Sequence, residues 1–158
     1  MSTPLPVLDY LRKMIDGTLA AGDVTHLKYP TAISTTLGIR LAAVGPGTAT
    51  LEIDADPGRH GNQQGTIHGG LLAELADAAM GTAHSTGIEA GQSFTSLDLN
   101  LKFLRPVWKS TLRASAKATH SGKTISHYAC EIVRDDGKIA AQATGIFMTL
   151  YGEQAKGR

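Results

Sequence analysis

The sequence predicts an α+β domain, one long helix packed on an antiparallel sheet of about six strands, and three observations carry that reading. Residues 62–85, NQQGTIHGGLLAELADAAMGTAHS, hold a long apolar helical pattern with no proline inside it. Two strand-like segments come before it, and four come after it without another helix. The connections among those last four are short and rich in turn residues, which suits antiparallel neighbours rather than crossovers. A single helix laid on such a sheet is an α+β arrangement.

In chain order, residues 5–19 form an amphipathic helix, with Leu8, Leu11, Ile15 and Leu19 at three- and four-residue steps. Gly22 and Asp23 are expected to end it, and its expected role is a lid or packing element outside the main sheet. Residues 26–34 contain Pro30 and no clear period, which predicts a connector. Residues 37–44 are strand-like, Gly45-Pro46-Gly47 is a turn, and residues 48–55 alternate as a second strand. Pro57-Gly58 breaks that strand. In the helix, Leu71, Leu72, Leu75, Ala76, Ala79, Met80 and Ala83 fill one broad arc at about 100° per residue. Glu74 and Gly81 lie opposite it, with Glu74 expected in solvent or an ion pair, and Asp77 sits at the border. After a linker at 87–91, strands are predicted at 93–103, 111–120, 124–134 and 139–151. Within the first of these, Leu97, Leu99, Leu101 and Phe103 alternate strictly with Ser96, Asp98, Asn100 and Lys102, which assigns the two sets to opposite faces. Residues 152–158 are a polar tail expected to fray.

With 158 residues the chain is long enough to bury a core as one domain. A hydrophobic fraction of 42% and a charged fraction of 18% are ordinary for a soluble globule. Net charge is +1 with acids and bases interspersed, so nothing favours nucleic acid or an anionic membrane as partner. No run approaches the ~18 apolar residues of a membrane span, and the first residues lack a signal-peptide core; a cytoplasmic protein is the expectation. Cys130 is the one cysteine, which excludes an intrachain disulfide, and it is expected to be a buried structural thiol. The histidines show no metal-ligand spacing with acids or cysteine, so no metal is expected. Nucleophile-elbow, dinucleotide and P-loop signatures do not occur.

The chemistry gathers around the start of the long helix. Gly69 and Gly70 open it, although glycine costs about 1 kcal/mol relative to alanine in a helix interior. That choice suits close approach to the backbone, and the free N–H groups of a helix start are good partners for an oxygen. A polar loop, a bare helix N-terminus and an acid two turns later can together form a site.

Asn62, then His68-Gly69-Gly70, then Leu75-Ala76-Asp77 resembles the signature of hotdog-fold acyl-CoA thioesterases of the phenylacetate-degradation and 4-hydroxybenzoyl-CoA type. The amide stands six residues before the histidine and the acid nine after it. Phe103-Leu104-Arg105-Pro106, Gly122-Lys123-Thr124 and Asp136-Gly137-Lys138 fall where that family has similar segments, and the likeness spans residues 37–149. The resemblance implies a hotdog fold over residues 36–151, preceded by an N-terminal helix and connector at 1–35 and followed by the tail. It implies Asp77 as general base or nucleophile, and the Gly69 N–H as donor to the thioester oxygen. Asn62 orients water or substrate, His68 lines the site, and Ser96 matches a hydroxyl that holds the water in some relatives. Arg105, Lys123 and Thr124 match contacts to the nucleotide part of CoA, which is substrate rather than a separate cofactor. Gly81 stands where some aryl-CoA relatives carry threonine. A homodimer or dimer of dimers is also implied, with the site between protomers. Two other classes stay open: hydratase or dehydratase chemistry on the same fold, and non-enzymatic acyl-CoA binding. The nine-residue spacing from His68 to Asp77 favours hydrolysis over the first. The second usually carries an added DNA-binding domain, for which the residues before the first strand are too few.

Overall fold

The computed structural model describes residues 3–157. Six strands form one antiparallel sheet: β1 (Arg40–Gly45), β2 (Thr48–Ala55), β3 (Ser93–Phe103), β4 (Ser110–Ser121), β5 (Ile125–Val133) and β6 (Ile139–Leu150), in the order β1-β2-β4-β5-β6-β3. Among the described residues four α-helices accompany it: α1 (Val7–Asp16), α2 (Ala32–Leu37), the single turn α3 (Pro57–His60) and the central α4 (Gly69–Ser85). Among the described residues no helix is long and apolar enough to cross a membrane.

The core lies between α4 and the concave side of the sheet. The arc predicted for α4 is the buried one: Leu75, Ala76, Ala79, Met80 and Ala83 are fully enclosed against Leu112, Ala114, Ile132, Ala141 and Phe147. Alanines on both partners let the helix sit close, and Gly145 on β6 takes this furthest. A Cβ there would meet Met80 Cε and Phe147 Cε2 at 3.0 Å.

Three expectations need correction. The first helix stops at Gly17, not at Gly22, because Gly17 takes the left-handed conformation (φ 68°) that ends a helix. Asp23 instead accepts from the Lys13 ammonium at 2.9 Å and from the Ala20 N–H at 3.0 Å, tying the following turn back to α1. The stretch expected as connector and strand holds α2. Thr31 caps it by accepting from the Ser34 N–H, and Gly38 at φ 78° ends it, so β1 begins three residues later than predicted. Third, β3 carries an irregularity between Ser96 and Asp98 in its pairing with β6. A bulge inserts a residue and reverses the alternation beyond it. Phe94 and Ser96 before it, and Leu101 and Phe103 after it, therefore all turn toward the helix side.

The N-terminal segment is more than an appendage. Val7 and Leu11 of α1 are 1% and 0% exposed. The Tyr29 hydroxyl donates to Ser85 Oγ at 2.6 Å, and Ser85 Oγ donates to the Thr82 carbonyl. Residues 14–39 thereby close over the side of α4 that faces away from the sheet. At the other end, residues 152–155 form a short 3₁₀ turn, and the Tyr151 hydroxyl donates to the Lys123 carbonyl.

Candidate active site

The loop before α4 is built by local hydrogen bonds. Asn62 Oδ1 accepts from the Gln64 and Thr66 N–H groups at 2.9 and 3.2 Å, and its Nδ2 donates to Thr66 Oγ1 at 3.0 Å. The Asn62 amide is thus engaged in shaping its own loop. Backbone bonds from Ile67 to Val107 and from His68 to His60 fix where the loop meets the sheet. His68 is the N-cap of α4, its Nδ1 accepting from the Gly70 N–H at 2.9 Å. Both glycines are closely approached by side chains, which a larger residue would have to displace. A Cβ on Gly70 would meet His68 Nδ1 at 2.9 Å, and one on Gly69 would meet Phe103 Cζ at 2.8 Å. As the first residue of the helix, Gly69 has an N–H with no intrahelical acceptor.

Eight residues on, Asp77 is half-buried, and its Oδ1 accepts from Ser96 Oγ at 3.1 Å. The bulge in β3 makes this contact available by turning Ser96 toward the helix. Asp77 and Ser96 border a cavity of about 210 Å³ whose walls come from α4, from Leu41 and Leu51 of β1 and β2, from Phe94, and from the N-terminal segment through Met14, Tyr29 and Ile33. Glu74 and Gly81, expected on the solvent side of the helix, line this cavity as well. The N-terminal segment covers that side, which periodicity alone does not reveal. Burial and the neighbouring charge of Asp77 push the Glu74 carboxyl above its ordinary range.

The predicted residues fall into three places. Asp77 and Ser96 share the cavity just described. Asn62, Gly69 and Arg105 border a separate cleft of about 370 Å³ with Phe103 and Val107; Arg105 donates to the Ile139 carbonyl at 2.8 Å. Lys123 sits in the β4–β5 turn, against a cleft at the C-terminal end of α4, and the Thr124 carbonyl accepts from the Thr149 N–H at 2.8 Å. β5 separates the ends of the sheet that carry Arg105 and Lys123, and its eight steps of about 3.4 Å put them roughly 27 Å apart. One protomer therefore brings Asp77 to Ser96, and Gly69 to Asn62 and Arg105, but does not join these sets.

Nothing in the spacing of His84 assigns it a role beyond the absence of a metal-ligand pattern. It is 5% exposed, with Nδ1 3.2 Å from the Tyr128 hydroxyl and Nε2 3.2 Å from Thr149 Oγ1. It stacks on Phe147 and meets Phe94 edge-on. Burial lowers its pKa from 6.5 to about 4. The available signal was its place in the last turn of a helix whose neighbours Ala83 and Ser85 are also enclosed.

The sequence profile of the thioesterase superfamily matches residues 64–141, from the loop before α4 to the start of β6. The acyl-coenzyme A thioesterase PaaI of Escherichia coli is 34% identical over 128 residues, 77% of this chain and 88% of the relative. The chain belongs to the thioesterase superfamily. Another member, the 1,4-dihydroxy-2-naphthoyl-CoA hydrolase of Listeria monocytogenes, is 26% identical over 66% of this chain and 84% of its own length. The solved structure of the E. coli PaaI protein superposes with a TM-score of 0.72 at 26% identity, covering 92% of this chain and 97% of that one. The antiparallel sheet around α4 is the hotdog fold of this family, and this member is a thioester hydrolase.

Proposed function

We propose that this thioester hydrolase acts on acyl-CoA, with Asp77 driving attack on the thioester carbonyl and the Gly69 N–H of a second protomer polarising it. The observation that carries the reading is the half-buried Asp77, steadied by Ser96 at the edge of an apolar cavity that can take an acyl group. The kinship with PaaI supports CoA as the carrier. In hydrolysis, Asp77 takes a proton from a water that attacks the carbonyl carbon and passes it to the departing sulfur. Alternatively, it attacks that carbon itself to form a mixed anhydride that water then cleaves, freeing the acid and the Asp77 carboxylate. On either route the carbon–sulfur bond breaks and CoA leaves as the thiol. The developing oxyanion needs a donor at the moment of attack, and a helix N-terminus supplies one with the favourable end of its dipole.

The two groups come from different protomers on this reading. Gly69 and Asp77 are eight residues apart, about 12 Å along a helix, and open into different clefts. A second copy brings its own Gly69, Asn62 and Arg105 to the Asp77 cavity. The surface for that pairing is β3. It is an edge strand of 11 residues that exposes Leu97, Leu99 and Phe103, flanked by Leu104 and Trp108. The other edge, β1, is instead blunted by Arg40, which pairs with Asp54 at 2.8 Å and Glu52 at 3.5 Å. A long apolar edge calls for a partner.

The direct test is steady-state hydrolysis of a panel of acyl-CoAs by the purified protein and by Asp77→Asn. Wild-type release of CoA with a loss of about 10²–10⁴ in the variant is the expected result. A fully active Asp77→Asn rejects Asp77 as base and as nucleophile.

A further inference from the structure

Gly81 lies one helical turn beyond Asp77 on α4, and the fold itself gives no reason for a glycine there. Its φ is not positive. A Cβ built on it would lie 3.6 Å from Phe147 Cε1 and from Phe94 Cε2, which is ordinary van der Waals contact. Gly69 and Gly145 differ, since a Cβ there would press on ring atoms at 2.8–3.0 Å. Glycine is a poor helix former, so this interior position gives up helix stability with nothing gained in packing. What Gly81 does border is the cavity beside Asp77.

We propose that Gly81 is a specificity-determining residue: its missing side chain widens the cavity one turn from Asp77, so that the site takes an uncharged acyl group with bulk beyond the first few carbons from the thioester. The inference rests on the acyl-CoA reading above. One turn between Asp77 and Gly81 is about 6 Å of rise, the length of roughly four or five carbon–carbon steps from a carbonyl held at Asp77. The cavity, about 210 Å³, is larger than the roughly 150 Å³ cavity known to hold benzene. A ring on a short linker fits it, as does a chain of about six to eight carbons. Its charged lining groups are Glu74 and Asp77, both acids, with no lysine, arginine or histidine among the lining residues. An acyl group ending in its own carboxylate meets like charge and no cation, so the cavity selects against it.

The test compares Gly81→Ala and the bulkier Gly81→Val with wild type. Replacement by alanine in a helix interior, with its Cβ at ordinary contact distance, is expected to raise Tm by about 2–4 °C, which excludes misfolding as the cause of any loss. The ratio of kcat/KM for octanoyl-CoA to that for butyryl-CoA is expected to fall about tenfold in Gly81→Ala and further in Gly81→Val. A ratio unchanged within about twofold in both variants overturns the proposal, because a side chain in the acyl path discriminates by size. Calorimetric binding of S-octyl-CoA and S-ethyl-CoA, which cannot be hydrolysed, separates the two levels of the claim. If wild type cleaves neither thioester, the proposed action on straight-chain acyl-CoA fails, and the thioether ratio still decides Gly81. A shift against S-octyl-CoA sustains its role, and an unchanged ratio ends it.

Discussion

Ser96 reaches Asp77 through one hydrogen bond of 3.1 Å, so its removal tests positioning apart from chemistry. Ser96→Ala is expected to lower kcat by about tenfold with little change in KM, the mark of an orienting group, against the far larger loss in Asp77→Asn. Glu74→Gln, which keeps shape and removes the second carboxylate in the cavity, is expected to cost less than about tenfold. An equal collapse in Glu74→Gln would move the chemistry to that residue. Arg105→Ala is expected to raise KM for acyl-CoA more than it lowers kcat, and to leave the same acyl group on a pantetheine carrier unaffected; equal weakening of both carriers removes Arg105 from phosphate recognition. His84 makes a different prediction. Its folded pKa is about 4 against an ordinary 6.5, so between those values the unfolded chain binds a proton that the folded chain does not. Its contribution to stability is whole above about pH 6.5 and is lost as pH falls toward 4, at up to about 1.4 kcal/mol per unit. Urea titrations from pH 4.5 to 7.5 should show that slope, and His84→Gln should flatten it. At this scale the sequence marks Asp77 and Gly69 as candidates, through their spacing and helical position together with the family resemblance. Its alternation does not bring Ser96 to Asp77, because a bulge is a property of strand pairing, not of the β3 sequence alone.

Among the elements, those with a regular period were the legible ones. β2 and β3 match the predicted bounds, since the alternating runs read in both are bounded by Gly and Pro. α4 was placed by its apolar arc, although its far side was misjudged. The solvent side of an amphipathic helix is inferred from polar residues, and Glu74 and Gly81 there line a cavity that the N-terminal segment helps enclose. That segment also hid α2, a helix of six residues, too short for periodicity; its signals were the Thr31 cap and Gly38. The segment holds one wall of the cavity in place through α1. Leu11 is 0% exposed, so Leu11→Ala is expected to cost about 2–5 kcal/mol and to loosen that wall. A chemical denaturation curve, read together with KM for octanoyl-CoA, checks both. A large loss of stability with unaltered KM would show that α1 packs without shaping the site.

The whole molecule carries the claim that is hardest to see in one chain. Composition does not call for a dimer; the resemblance implies one, and the physical ground for proposing it is the sheet order, which leaves the leucines and phenylalanine of β3 at an edge. Leu99→Glu on that edge is expected to give a monomer by light scattering and to abolish activity together with assembly. An active monomer would contradict the shared site. The most direct measurement is complementation between two inactive variants. Gly69→Pro removes the proposed oxyanion donor at a helix position where proline is well tolerated; the ring of the exposed Phe103 has to shift from the new Cβ, and His68, at φ −64° and ψ 135°, already has the conformation a following proline needs. Asp77→Asn removes the carboxylate. Co-expressed under different tags, the two give heterodimers with one doubly damaged site and one intact site. Isolated heterodimers are expected to recover about half of wild-type activity, since one of two symmetric sites is whole. Heterodimers no more active than either parent would mean that Gly69 and Asp77 serve within the same protomer, and would contradict the account.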